Sequence, residues 1–177
     1  MLRVVVAVTL AAALLGVSMP VVETARVDHA DARVEAELDR LTAAATRLAE
    51  RNDLAPPGVP GARRTVSVRF PRGTMGSSAL ARLSVPGPEA QAWNWTGTRL
   101  RYRIAGASPD TYESGVVLVG TPDGTTIRRG GRHRLVLELS RVRGHRAVVV
   151  RRPRLKSDGA ASPEHDETGN GSHRAPP

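Results

Sequence analysis

LRVVVAVTLAAALLGVSMPVVETARVDHADARVEAELDRL occupies residues 2–41, and its reading decides the architecture. Residues 4–22 are 19 consecutive positions without a charge, broken only by Thr9, Gly16, Ser18 and Pro20. As a helix this run is about 28 Å long, close to the roughly 30 Å hydrocarbon thickness of a bilayer. The same stretch also has the layout of an export signal, with a short basic lead at Arg3 and an apolar segment of suitable length. A small-residue cleavage site is poorly supplied: Gly16-Val17-Ser18 is followed closely by Pro20, and Glu23 spoils Thr24-Ala25. We therefore read residues 1–22 as a retained transmembrane anchor, with a cleaved signal peptide and a secreted protein as the alternative.

The periodicity changes beyond the apolar run. Val27, Val34, Leu38, Leu41, Ala45 and Leu48 are spaced by 7, 4, 3, 4 and 3, with Asp31 in the missing position. That is a helical apolar stripe, and residues 23–54 are expected to form an amphipathic helix. Pro20 is expected to kink or begin it, and Pro56-Pro57-Gly58 to end it. The stripe is expected to pack on the chain's own domain; self-association through the amphipathic helix is the alternative, weakened by an Asp in the seam.

Residues 55–61, APPGVPG, read as a Pro/Gly hinge. Past it, alternation with period two takes over at Val66/Val68/Phe70, Leu100/Tyr102/Ile104 and Leu135/Leu137/Leu139, the mark of strands with one buried face. Two continuous apolar runs, residues 116–119 and 147–150, suit central strands. Arg143-Gly144-His145 is placed to close a hairpin between the last two strands. Residues 62–156 are thus expected to form a small antiparallel sheet of five to seven strands. Residues 157–177 lack apolar periodicity and read as a disordered polar tail. The fold class expected is α+β: an N-terminal transmembrane and amphipathic helix followed by a small antiparallel β-sheet domain.

Charge is concentrated in the β region. Residues 63–156 hold 19 Arg and Lys against 5 acids, a net of +14 in a chain whose total is +9. Arg99, Arg101 and Arg103 form one row along a strand, and Arg132 and Arg134 begin another. With Trp93 and Trp95 near the first row, a nucleic-acid face using phosphate contacts and stacking is conceivable. Core tryptophans and a solvated arginine coat are the simpler reading, so nucleic acid is set aside as a partner. The same rows could meet anionic headgroups beside an anchor.

Chemistry is sparsely signalled. With no cysteine, disulfides and thiolate metal sites are excluded. No phosphate-gripping glycine loop or nucleophile elbow occurs. The histidines at 29, 133, 145, 165 and 173 have no ligand spacing. No catalytic, cofactor-binding or metal-binding residue is expected, and no enzyme. Asn94-Trp95-Thr96 and Asn170-Gly171-Ser172 fit the N-glycosylation pattern, which matters only outside the cell.

The order of parts resembles type IV pilin-like proteins. More narrowly, LLGVSMPVVETARVDHADARVEAELDRLTAAATRLA, GVPGARRTVSVRFP and GRHRLVLELSRVRGHRAVVVRRP resemble an uncharacterised haloarchaeal family of short membrane proteins, over most of residues 1–154. That resemblance implies a cell-envelope role beside archaeal pilus or secretion machinery, and no chemistry or site residues. Two departures from pilins, Val4 directly after Arg3 and no glutamate early in the helix, point to an accessory protein rather than a filament subunit. The expected location is the cell membrane, single-pass through residues 4–22, with the C-terminal domain extracytoplasmic. A basic β binding module for nucleic acid or anionic surfaces is the second reading.

Overall fold

A computed structural model describes residues 2–56, 58–74, 77–90, 93–94 and 96–153, with side chains for all of these except 2, 11–21 and 93. The tail at 157–177, including Asn170, lies outside the described residues, as does Trp95.

One helix, α1 (Leu2–Arg51), carries both the apolar run and the striped segment without interruption. It continues across Pro20, whose missing N–H removes one backbone hydrogen bond from the ladder. It ends earlier than Pro56: Asn52 Nδ2 donates to the Leu48 carbonyl at 2.9 Å, satisfying an oxygen that the last turn leaves bare. The helix thus stops at Arg51, and the prolines only keep the chain from resuming it.

The two halves of α1 have different surroundings. From Ala30 to Leu48 the stripe positions Val34, Leu38, Leu41 and Ala45 are fully buried. Val4, Val5, Val6, Val8 and Leu10 are 57–67% exposed, and at 100° per residue they point to all sides of the helix. Among the described residues no helix is long and apolar enough to cross a membrane. The side chains at 11–21, the middle of the expected anchor, lie outside the described residues.

The β region forms two sheets rather than the single sheet expected. The first is ordered β1 (Arg63–Phe70), β8 (Gly131–Val142), β9 (His145–Arg151), β6 (Leu118–Val119). The second is ordered β3 (Trp93–Asn94), β4 (Gly97–Ile104), β2 (Leu80–Val85), β7 (Thr125–Ile127), with β5 (Pro109–Ser114) also on β4. All pairs are antiparallel except β6 with β9. Leucines 135, 137 and 139, Val68, Phe70, Val148 and Val150 from one sheet meet Leu80, Leu83, Leu100, Tyr102, Ile104 and Ile127 from the other. Together with the stripe of α1 they make one core. The stripe from Ala30 to Leu48 is therefore covered by the chain's own sheets.

Local chemistry explains most strands. The hairpin β8–β9 pairs Val142 with His145 around a two-residue loop, and Arg143 and Gly144 both have positive φ, 48° and 83°. That is the primed turn whose twist suits a hairpin. The run at 116–119 departs from expectation: only Leu118 and Val119 pair, on a sheet edge. It is buried because Leu118 enters the main core while Val117 and Val119 pack with Ala147 and Val142 in a small second cluster.

Candidate functional site

The basic rows lie where alternation places them. Arg99, Arg101 and Arg103 project from β4 on the face opposite buried Leu100, Tyr102 and Ile104. Arg82 of β2 is paired with Arg103 and extends that row. Arg99 is neutralised by Glu113 across the β4–β5 pair, at 3.3 Å. Arg132 and Arg134 stand on β8, on the outer face of the other sheet, so the two rows do not converge. Trp95 and the Trp93 side chain lie outside the described residues, and with them the stacking half of a nucleic-acid face.

A different cluster does converge. Arg33 and Arg40 on α1, Arg69 at the end of β1, Arg72 just beyond it and Arg132 on β8 line one cleft of about 700 Å³. Glu37 is the one acid lining it. Its side chain is nearly buried and both oxygens are engaged. Oε1 accepts from Arg40 Nη1 at 2.6 Å, and Oε2 from the Arg69 backbone N–H at 3.1 Å. The second bond satisfies an outward-facing amide on β1, the edge strand of its sheet, and so ties helix to sheet. Arg69 is directly opposite Arg132 in the β1–β8 register, a like-charge pair of the kind that destabilises a sheet. Residues 33, 40, 69 and 72 escaped sequence reading. No periodicity announces that a helix face and a strand end 30 residues apart will meet.

Elsewhere the polar groups serve structure. Glu138, buried on the outer face of β8, accepts from Arg63 at 3.1 Å and Arg151 at 3.5 Å. Tyr102 donates to Asp31 at 2.6 Å and Tyr112 to Asp39 at 2.7 Å, fastening β4 and β5 to α1. Burial pushes both phenols above their ordinary range, and the Asp31 carboxylate adds to this at Tyr102. Asp31 is thus no flaw in the stripe but the partner of a core tyrosine. His133 Nε2 shares a hydrogen bond with the Arg129 carbonyl at 2.8 Å, and its ring lies against Phe70. Among the described residues no group of three or more His, Cys, Asp and Glu side chains is placed to hold a metal ion. Asn94 is exposed at the end of β3, its Oδ1 accepting from the Thr96 N–H and hydroxyl and the Gly97 N–H.

No curated protein and no solved structure matches the chain. Residues 1–153 match a family described as Domain of unknown function (DUF7311), and the match runs through helix and sheets alike. The chain belongs to that family.

Proposed function

We propose that the chain is a non-enzymatic, single-pass membrane protein of the cell envelope. Residues 4–22 anchor it, and the β-domain stands on the extracytoplasmic side as an accessory of a type IV pilus-like or secretion assembly. One observation carries this reading. Val4, Val5, Val6, Val8 and Leu10 are apolar, exposed and distributed around the whole circumference of a helix that then enters the domain core. A helix apolar on all sides is stable when an apolar medium surrounds it, and the domain, which packs against the helix from Val27 onward, leaves the side chains at 3–10 exposed. The resemblance in layout to pilin-like proteins supports the assembly role.

The absence of cysteine makes the topology directly testable. Ser108→Cys and Asp123→Cys place single thiols on exposed domain positions. A membrane-impermeant maleimide is expected to label both in intact cells, with the protein in the membrane fraction. Labelling only after lysis would reverse the orientation, and recovery in the soluble fraction would remove the anchor.

A further inference from the structure

We propose that the cleft between α1 and the β1–β8 edge binds a multiply charged phosphate group. Five guanidinium groups (Arg33, Arg40, Arg69, Arg72 and Arg132) face a single carboxylate there. That carboxylate, Glu37, is already committed to Arg40 and to a backbone N–H. Among the described residues Arg33, Arg69, Arg72 and Arg132 have no acid within ion-pair distance. Carboxylates do pair with Arg26, Arg63, Arg99, Arg143 and Arg151 elsewhere.

Two features bring these exposed charges close together. Arg69 and Arg132 are cross-strand neighbours, an arrangement that an anion between them would relieve. The Arg72 side chain lies over Gly131, where an added Cβ would come within 2.9 Å of its Nε. Gly131 also has φ of +129°, which side chains rarely adopt. A side chain at 131 would be strained by that φ, and the Arg72 head would have to shift to make room for it.

The chemistry of the group selects the ligand. Guanidinium forks bind carboxylate and phosphate alike through paired N–H donors. One carboxylate, however, would leave most of the cluster uncompensated, whereas a pyrophosphate or phosphorylated ligand matches several cations. The volume falls within the usual range for small-molecule sites. The source of the phosphate follows if the anchoring proposed above holds. Arg33 lies 11 residues beyond Val22, about 16 Å along the helix. Headgroups extend only about 5–8 Å past the hydrocarbon on each side. The cleft then opens above the lipid layer and takes phosphate from the water side.

The test uses the full chain in a zwitterionic detergent, with inorganic pyrophosphate as probe, at fixed ionic strength. Calorimetric titration is expected to show saturable one-to-one binding. Arg72→Ala/Arg132→Ala should weaken it at least tenfold without lowering the thermal midpoint of the free protein, because two mutually repelling charges have gone. Arg101→Ala/Arg103→Ala, on the other sheet, should leave affinity within twofold. No saturable binding, or equal loss in both double variants, would overturn the site. The source is distinguished in nanodiscs. Equal pyrophosphate affinity in neutral and anionic lipid supports the water-side assignment. Competition by anionic lipid that disappears in Arg72→Ala/Arg132→Ala would keep the phosphate site and overturn that assignment.

Discussion

Tyr102 and Asp31 show how a single pair settles the placement of a helix on a sheet. The phenol is buried at the centre of β4 and its hydroxyl reaches the one acid in the apolar stripe of α1. A hydrogen bond to a charged acceptor contributes about 1.5–3 kcal/mol, and a buried hydroxyl left unpaired costs about 1–3 kcal/mol. Asp31→Ala, which strands the phenol, should therefore destabilise by about 1–3 kcal/mol, and Tyr102→Phe by less, as measured by urea unfolding. The pair also fixes a pH dependence. Folding holds the proton of Tyr102 and Tyr112 more tightly than the unfolded chain does. That stability is complete below about pH 10 and declines as pH rises beyond it. Since these are the chain's only tyrosines, the rise in absorbance near 295 nm should come at higher pH in the folded protein than in the urea-unfolded chain. Both phenols ionising in the folded state at the same pH as in the unfolded chain would contradict the Tyr102–Asp31 contact.

At the scale of elements, α1 is one helix with two environments. Leu38→Ala removes a fully buried side chain between two sheets and should cost about 2–5 kcal/mol. Val5→Ser touches nothing in the domain and should shift its urea midpoint by less than the equivalent of about 0.5 kcal/mol. Glu37→Ala frees a β1 backbone amide and the Arg40 head together, and is expected to cost about 1–3 kcal/mol, with Glu37→Gln retaining part of the loss. The stripe of α1, the alternation of β1, β4 and β8 and the turn at Arg143-Gly144 were all legible in the sequence, because each follows from local periodicity or turn chemistry. The division into two sheets was not. β5 is polar apart from Pro109 and Tyr112, β3, β6 and β7 are two or three residues long, and β2 has a register shift between Leu80 and Arg82 that breaks its alternation. The arginine cleft was hidden for a related reason: Arg132 stood out in its own row, but its partners come from a helix and from another strand's end.

For the whole molecule, charge and apolarity are segregated along the chain. Residues 63–156 carry a net +14, and the helix that precedes them exposes Val4, Val5, Val6, Val8 and Leu10 on all its sides just past Arg3. The domain buries the helix stripe from Ala30 to Leu48 and leaves the described side chains at 3–10 exposed, and this imbalance is what the anchoring proposal answers. It is tested most directly by the intact mass of the native protein recovered from a carbonate-washed membrane pellet. A mass that includes residues 4–22 is the predicted result. A soluble product beginning between about residues 19 and 26, consistent with removal of an export signal, would contradict the anchor and leave a secreted basic domain.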